Sequence, residues 1–299
     1  MSSVDKSNNF KAGYIAIMGR PNVGKSTLMN ALLKRKISIV SPKPQTTRNR
    51  VLGILNGKKH QVIFLDTPGL ITPKYQLQKS LVNTAKTTLK QADIILLMID
   101  MYSQEPGMES IIKDLKTYPA PKFLLINKID LFPREHILPL IDSVKNKALF
   151  KDIIPISALH KDGLDVLFSA ILSHLPSGQP LYPQDVISNE PERFFVSEII
   201  REKIFFLYEK EVPYSTAVQI AEFKEREGRK DFIHALIIVE RDSQKGIIIG
   251  KQGQALKQVG MKARKDIEAF LGREVYLTLE VRVRKKWRKN TAIIKGLGY

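Results

Sequence analysis

The sequence contains no cysteine among its 299 residues. This absence excludes a disulfide framework, an iron–sulfur cluster and a thiolate zinc site, and it fits a reducing compartment. The longest apolar run, residues 94–99, is far shorter than the roughly 18 residues that cross a bilayer. The first residues are polar and lack the apolar stretch of a secretory signal. We therefore expect a cytoplasmic protein.

Acidic residues are scarce relative to basic ones. The chain has 48 Lys and Arg against 30 Asp and Glu, a net charge of +18. The last 59 residues alone hold 15 basic and 5 acidic residues, a net charge of +10. This excess predicts a polyanionic partner, either nucleic acid or an anionic membrane. The alternative is a solvated basic surface without a specific partner.

Residues 1–175 alternate short apolar runs with helix-length segments. The runs predict strands at residues 14–18, 51–55, 62–65, 94–99, 123–126 and 153–156, and the segments predict helices at 28–34, 76–91 and 108–118. Asn56-Gly57 predicts a hairpin turn between the second and third strands. This alternation is typical of an α/β domain with a mostly parallel sheet and helices on both faces.

Residues 176–191 are rich in proline, which no helix or central strand tolerates at that density, and we predict a linker there. Residues 192–299 then form a second, α+β domain. Its pattern predicts helices at 194–208 and 254–271, strands at 215–223, 232–240 and 275–283, and a glycine loop before the second helix.

A phosphate-binding motif, G-x-x-x-x-G-K-[ST], begins at Gly19 and lies between a predicted strand and a predicted helix. Its glycines let backbone N–H groups turn toward phosphate oxygens, and the helix N-terminus adds positive charge. In this motif Lys25 can reach the β- and γ-phosphates, and the Ser26 hydroxyl can ligate Mg²⁺. The predicted nucleotide-binding residues of this loop are Gly19, Arg20, Pro21, Asn22, Val23, Gly24, Lys25, Ser26 and Thr27.

Three further motifs each follow a predicted strand. In the first, a carboxylate at a strand end holds the Mg²⁺ shell and a glycine N–H binds the γ-phosphate. In the second, the Asp130 carboxylate can accept hydrogen bonds from N1–H and the C2 amine of guanine, a donor pair that adenine lacks. The third can offer a backbone N–H to guanine O6. The motifs are Asp66-Thr67-Pro68-Gly69, Asn127-Lys128-Ile129-Asp130 and Ser157-Ala158-Leu159. In this order they predict a guanine-nucleotide site at the carboxyl ends of a parallel sheet.

These motifs resemble the translation-factor class of P-loop GTPases. The resemblance implies the nucleotide-binding roles of Asp66, Asn127, Lys128, Asp130 and Ser157. It also implies an effector loop at residues 44–48, in which Thr47 ligates Mg²⁺ in the GTP state, with Thr46 as the alternative. Bound GTP and Mg²⁺ are then expected to order residues 42–48 and the segment after Gly69.

Under this resemblance, the metal ligands are Ser26, Thr47 and Asp66, and the catalytic groups are Lys25, Thr47 and Gly69. Leu70 occupies the position at which many GTPases carry a glutamine that orients water, so we expect slow intrinsic hydrolysis. In related GTPases with the same loop, the residue corresponding to Asn22 helps to hold K⁺, which implies turnover stimulated by K⁺. The alternative is that Asn22 only caps the loop.

A second glycine motif lies in the basic C-terminal region. Gly250-Lys251-Gln252-Gly253 follows an Ile-rich segment and precedes a predicted helix, and this is the signature of a KH domain. Such a loop lets a nucleic-acid backbone approach closely, beside an apolar groove that accepts single-stranded bases. The predicted RNA-binding residues are Gly246, Ile249, Gly250, Lys251, Gln252, Gly253 and Lys257, together with Arg284, Lys285 and Lys286 of the basic tail. Trp287 either packs in the core, which we favour, or stacks on a base.

A P-loop GTPase domain, a proline-rich linker and a KH domain together resemble the Era family of bacterial GTPases. The resemblance covers nearly the whole chain, including residues 45–48, 198–203, 211–214 and 296–299. It implies a GTP-controlled factor in maturation of the small ribosomal subunit, whose KH domain binds the single-stranded 3′ end of 16S ribosomal RNA. Some family members associate with the inner face of the cytoplasmic membrane, which the basic tail would also fit. We expect no stable oligomer.

Two other functions compete with this interpretation. In one, the protein assembles RNA and its nucleotide is a structural cofactor with negligible turnover. In the other, it is mainly a GTPase of the membrane surface.

Overall fold

The structure is a computed structural model that describes residues 10–41, 43–100, 108–145 and 149–299. These residues form two compact units. The first unit comprises the chain up to Ser38, Thr47–Ile71 and Val82–Asn189; the second comprises Ile39–Thr46, Thr72–Leu81 and Glu190–Tyr299. Pro42, in the predicted effector segment, and the polar N-terminal residues lie outside the described residues.

The first unit is built on a mostly parallel sheet, as the apolar runs predict. The strands lie in the order β2-β3-β1-β4-β5-β6, and only β2 runs antiparallel to its neighbour. Every residue of β4 and β5 is buried, which explains why these strands read as unbroken apolar runs. The strands are β1 (Lys11–Gly19), β2 (Val51–Gly57), β3 (His60–Asp66), β4 (Ile94–Asp100), β5 (Lys122–Asn127) and β6 (Asp152–Pro155).

The helices of this unit alternate with the strands. They are α1 (Lys25–Leu33), α2 (Gln76–Lys90), α3 (Met108–Leu115), α4 (Arg134–Lys145) and α5 (Leu164–His174). Helix α1 packs against β1, β2 and β3, while α4 and α5 pack against β6. Helix α1 begins three residues earlier than predicted, at Lys25, and the residues of α2 before Val82 group with the second unit.

The predicted hairpin between β2 and β3 forms, but its turn is at Lys58 and Lys59 rather than Asn56-Gly57. Asn56 lies in the ladder because its side chain has other partners: Nδ2 donates to the carbonyl oxygen of Val186, and Oδ1 accepts from Gln61. These tertiary contacts outweigh the local turn preference.

Residues 176–189, which fall in the predicted linker, pack along this hairpin within the first unit. The Ile54 N–H donates to Ile187 O at 2.8 Å. The fully buried Gln61 amide accepts from the backbone N–H groups of Leu181 and Tyr182 and donates to the Tyr182 carbonyl. The proline-rich segment is therefore held to the sheet by specific hydrogen bonds.

The second unit contains a smaller mixed sheet in the order β7-β8-β9, with β7 antiparallel and β9 parallel to β8. Side chains from α6, α9 and one face of the sheet form its core. The elements are α6 (Glu192–Leu207), α7 (Val212–Ser215), β7 (Ala217–Lys224), β8 (Asp231–Val239), α8 (Asp242–Ile249), α9 (Gln254–Leu271), β9 (Val275–Val283) and α10 (Thr291–Gly296). This is the predicted α+β KH fold, with α7, α8 and α10 as helices that the sequence did not predict.

A second apolar cluster of this unit contains Trp287, which is fully buried, as favoured from the sequence. Its indole N–H donates to the Ser215 carbonyl at 2.8 Å, and Leu77 and Leu81 belong to the same cluster. Within the described residues, no helix has the length and apolar character needed to span a bilayer.

Candidate nucleotide and RNA sites

The phosphate loop connects β1 to α1, with Gly24 at the N-cap of the helix. The side chain of Lys25 is buried, and its Nζ donates to the carbonyl oxygens of Gly19 at 3.1 Å and Arg20 at 2.8 Å. Burial lowers the pKa of Lys25 to about 8, an effect that the nearby Asp66 opposes. The ammonium and the N-terminus of α1 together make this loop suited to an anion.

Three of the predicted metal ligands lie together beside this loop. Ser26 Oγ donates to Asp66 Oδ2 at 2.7 Å, and Thr47 Oγ1 lies 3.0 Å from Ser26 Oγ and 3.4 Å from Asp66 Oδ2. Asp66 is fully buried, which raises its pKa, whereas Lys25 opposes this rise. Its Oδ1 is buried without a hydrogen-bond partner. The cluster therefore offers oxygen donors of the kind that Mg²⁺ prefers.

Thr46 and Thr47 are adjacent but have different surroundings. The Thr46 hydroxyl donates to the Lys43 carbonyl at 2.7 Å, and the Thr46 carbonyl accepts from the guanidinium of Arg201. Thr46 thus belongs to the second unit, whereas Thr47 belongs to the first. Of the two alternatives, only the Thr47 hydroxyl lies beside Ser26 and Asp66 among the described contacts.

The Asp66–Gly69 segment packs closely on the phosphate loop. A Cβ placed on Gly69 would lie 2.8 Å from the backbone nitrogen of Pro21, so only glycine fits there. The Thr67 hydroxyl donates to the Ile17 carbonyl, and Pro68 is buried. The Leu70 N–H donates to Gly19 O, and its side chain packs against the apolar cluster of β1, β4 and β5.

Asn127 connects the phosphate loop to the loop after β6. Its Nδ2 donates to the Val23 carbonyl at 2.7 Å, and its Oδ1 accepts from the Ala158 N–H at 2.9 Å. Lys128 forms an ion pair with Asp100 at 2.6 Å. No motif in the sequence indicated Asp100 as a partner of Lys128. Asn127 therefore fixes the phosphate loop and the loop after β6 against each other.

Asp130 is positioned by Ser157, whose hydroxyl donates to Asp130 Oδ1 at 2.5 Å. The predicted backbone donors of this last motif are largely engaged: the Ser157 N–H donates to Asp162 and the Ala158 N–H to Asn127. Leu159 is 71% exposed. Ser157 therefore orients the Asp130 carboxylate, and the contact of this motif with guanine O6 stays a prediction.

In the loop the Asn22 side chain is exposed and its backbone has a φ of 63°. Val23 is buried, and Thr27 lies in the first turn of α1.

The predicted RNA loop connects α8 to α9. Lys251 and Gln252 are exposed at its tip, and Gly253 is the N-cap of α9 with a φ of 75°. Beside it lies a groove of about 500 Å³ between α9 and β9. The groove is lined by Gly253, Leu256, Lys257, Gly260, Met261, Arg264, Leu277 and Leu279. Its floor is apolar and its edge is basic, which suits single-stranded nucleic acid.

Several residues that line the groove were not predicted from the sequence. Leu256, Gly260, Met261 and Arg264 follow Gly253 at helical spacing, so a helical stripe was the signal that would have found them.

Some predicted RNA residues lie elsewhere. Gly246 and Ile249 belong to α8, where Ile249 packs against the core. Arg284, Lys285 and Lys286 follow β9 and do not line the groove described above. In the tail, Arg282 pairs with Glu280 and Arg288 with Glu240, so part of its positive charge is compensated within the unit.

Family models match both units. Residues 14–128 match the model described as a 50S ribosome-binding GTPase, and residues 211–288 match the KH domain. The GTPase Era of Lacticaseibacillus paracasei is 49% identical over 289 residues, 96% of this chain and 96% of the relative. The GTPase Era of a Thermoanaerobacter species is 48% identical over 292 residues, 97% of this chain and 96% of the relative.

Two solved structures are similar over 97% of the chain and 99% of their own length, each at 46% identity. One is a crystal structure of Era in complex with MgGDPNP and nucleotides 1506–1542 of 16S ribosomal RNA, with a TM-score of 0.94. The other is an Aquifex aeolicus Era variant bound to GDP and AlF4⁻, with a TM-score of 0.93. The chain therefore belongs to the Era family of GTPases.

Proposed function

We propose that this protein is a GTP-hydrolysing switch that binds the single-stranded 3′ end of 16S ribosomal RNA and assists maturation of the small ribosomal subunit. The main support is its similarity, over 97% of the chain, to a solved Era that holds both MgGDPNP and 16S ribosomal RNA. The groove of the second unit and the phosphate loop of the first supply one site for each ligand.

At the nucleotide site, the phosphates bind the Gly19–Lys25 loop and the base binds Asp130. Lys25 exchanges its two carbonyl partners for phosphate oxygens, which keeps the ammonium paired inside a buried site. Asp130 is held by Ser157 with its carboxylate available to the N1–H and C2 amine of guanine. The Gly69 N–H and Lys25 stabilise charge on the transferred phosphoryl group.

The residues of the oxygen cluster fit Mg²⁺. Ser26, Thr47 and Asp66 would hold it, because the hydroxyls and carboxylate converge and one buried Asp66 oxygen has no hydrogen-bond partner. Bound Mg²⁺ supplies positive charge that neutralises the phosphates. The Ser26 hydroxyl, which donates to Asp66 Oδ2, would turn a lone pair toward the ion.

Mg²⁺ titrations of GTP affinity test this ligand set. Thr47→Ala is expected to raise the Mg²⁺ concentration at half-maximal affinity by about tenfold, in the range typical of a weakened metal site. The neighbouring Thr46→Ala is the matched control, because the Thr46 hydroxyl donates to the Lys43 carbonyl instead. An equal effect of both substitutions would argue against Thr47 as the ligand.

Hydrolysis is proposed to be slow and to depend on K⁺. Leu70 packs into the apolar cluster and offers no group to orient water. Asn22 is exposed in the loop beside the phosphates and is the proposed K⁺ ligand. Steady-state hydrolysis in KCl against NaCl is the test, with Asn22→Ala as the variant. Equal rates in both salts would reject this role.

The link between the two ligands is proposed to run through the effector loop. Residues 39–46 belong to the second unit, where Arg201 of α6 holds the Thr46 carbonyl and Lys43 Nζ donates to the Phe205 carbonyl at 2.6 Å. Thr46 is joined by one peptide bond to Thr47, a proposed Mg²⁺ ligand. Ordering of Thr47 by nucleotide would thus act on a segment anchored to the RNA-binding unit, and by linkage RNA would act equally on nucleotide affinity.

The first experiment is GTP hydrolysis and binding with and without RNA of nucleotides 1506–1542, in K⁺ buffer. The control is the double variant Lys251→Asp, Gln252→Asp, whose altered residues are exposed at the loop tip. A change in turnover with RNA that the variant abolishes supports a coupled switch. RNA binding without any change in turnover or nucleotide affinity would leave a GTPase tethered to RNA, and absence of multiple turnover would favour a structural nucleotide.

An anionic membrane surface is the second proposed partner. Lys285, Lys286 and Lys289 are exposed in the tail and supply the basic patch that such a surface attracts. Flotation with phosphatidylserine vesicles is expected to recover the protein at low salt, and a triple Lys→Gln variant of these residues should reduce recovery. Recovery that does not change in the variant would reject the tail as the binding element.

A further inference from the structure

Helix α9 presents one stripe of residues to the groove and another to the core. The groove stripe consists of Gly253, Leu256, Lys257, Gly260, Met261 and Arg264. The core stripe contains Val259, Ala263 and Ile267, all fully buried. Gly260 therefore lies near the middle of an 18-residue helix, on the side that faces the groove.

The fold itself does not require glycine at residue 260. Its φ is not positive, and a Cβ placed there would meet only Leu279 Cδ1, at 3.5 Å, which is an ordinary contact distance. By contrast, a Cβ on Gly53 in β2 would lie 2.4 Å from Leu33 Cδ1. Alanine is a better helix former than glycine, so the protein forgoes helix stability at this position.

The surroundings of Gly260 indicate what occupies the space. Lys257 and Arg264 lie one helical turn before and after it, and both are exposed. Leu279 of β9 lies across the groove. The missing side chain thus leaves a notch with an apolar wall and a cation on each side, which suits a nucleobase with its flanking phosphates.

We propose that Gly260 is a base-contact position: one base of the single-stranded RNA enters the notch between the α9 backbone and Leu279. Lys257 and Arg264 hold the phosphates on either side of that base. This inference rests on the proposed binding of RNA in the groove and adds the residue that sets the space for a base there.

The test is Gly260→Ala, measured by thermal unfolding and by fluorescence anisotropy with RNA of nucleotides 1506–1542. We expect an unchanged or higher Tm and an RNA Kd raised by at least about tenfold, because one methyl group added where a base packs has an effect of that size. GTP affinity without RNA should not change. The matched control is Gly296→Ala, a helical glycine in α10 with no neighbour within 4 Å of its Cβ position, which should leave the RNA Kd unchanged.

Two outcomes would overturn the inference. One is wild-type RNA affinity in Gly260→Ala. The other is a Tm lower by several degrees, since the fold would then need the glycine. Failure of the wild-type protein to bind this RNA would instead reject the proposed RNA site, and with it the notch.

A scan of single abasic nucleotides locates the base. In the wild-type protein, one abasic position should weaken binding markedly, whereas in Gly260→Ala the same position should cost little, because its base is already displaced. This is a double-mutant cycle between a residue and a base. Equal losses in both proteins at every position would contradict the notch.

Discussion

The two ligand loops of this protein use glycine in opposite ways. Gly24 and Gly253 are both N-caps in a left-handed conformation, one before α1 and the other before α9. A Cβ on Gly24 would lie 2.3 Å from the Asn127 side-chain nitrogen, whereas a Cβ on Gly253 would meet nothing within 4 Å. The first loop is closed by the protein around it, and the second is open.

This difference matches the ligands that the loops are proposed to hold. In the first unit, Asn127 fixes the phosphate loop through the Val23 carbonyl, so the cradle is formed before a small ligand arrives. In the second unit, exposed Lys251 and Gln252 form the tip, and a polymer can approach the backbone from outside. The closed loop depends on internal packing, and the open loop depends on backbone conformation and charge.

Asp130→Asn is the change with the largest expected effect, because it alters the base-reading group of the closed site while leaving its frame intact. GTP affinity should fall by about a thousandfold and xanthosine triphosphate should become the preferred ligand, since a site built to hydrogen-bond one edge strongly rejects another. Ser157 can still donate to the asparagine oxygen, so Tm should hold. Competition binding with the two nucleotides is the measurement. Retained preference for GTP would place the base reader elsewhere.

Gly24→Ala breaks the closed loop directly. The added Cβ would displace the Asn127 amide and impose a left-handed conformation, here φ +102°, on alanine. We expect nucleotide affinity to fall by about a hundredfold and Tm to fall as well, as for other changes that break a buried hydrogen-bond network. Calorimetric titration with GDP measures the affinity without hydrolysis. A loss of less than a few fold would show that the cradle tolerates rearrangement.

The sequence predicted the placement of the first site's motifs because they lie at or just after the ends of buried strands. Residues 94–99 were predicted as a strand, and β4 is Ile94–Asp100. Motif residues that follow such strands meet at one edge of the sheet by topology alone. The position of the motifs relative to the predicted strands was therefore enough to predict that Ser26 and Asp66 lie close together.

The second unit was harder to predict for two reasons. One of its helices has the composition of a strand, and some of its hydrogen bonds join residues that are far apart in the sequence. Helix α8 contains the sequence Gly-Ile-Ile-Ile, which favours a strand. Its first turn is stabilised by the Gln244 side chain, which accepts from the Glu240 and Arg241 N–H groups. The hydrogen bond from Arg201 to the Thr46 carbonyl joins residues that are 155 positions apart in the sequence. No local pattern carries such a contact.

Salt concentration is expected to change RNA affinity more than nucleotide affinity, though this difference is smaller than the effects of the two substitutions above. The open loop relies on exposed cations such as Lys251, Lys257 and Arg264, so RNA affinity should fall roughly tenfold between about 50 and 200 mM KCl. Lys25 is buried, so nucleotide affinity should change less. Lys257→Gln should weaken RNA binding and reduce the slope of log K against log salt by about 0.7. An unchanged slope would remove Lys257 from the RNA contacts.

Gly253→Ala gives the smallest expected effect and the closest test of the open loop. No atom lies in the way of the new Cβ, so the only expected loss of folding stability is the backbone strain of alanine at φ +75°, about 1 kcal/mol. Gly272→Ala is the matched control: it lies at the other end of α9 with φ +70° and equally open surroundings, so it imposes the same strain. Both variants should lose similar stability by thermal unfolding, but only Gly253→Ala should weaken RNA binding, by severalfold, because its Cβ comes between the loop backbone and phosphate. Equal RNA affinities in the two variants would mean that the backbone of the loop tip does not approach the RNA, and that its exposed side chains alone account for binding there.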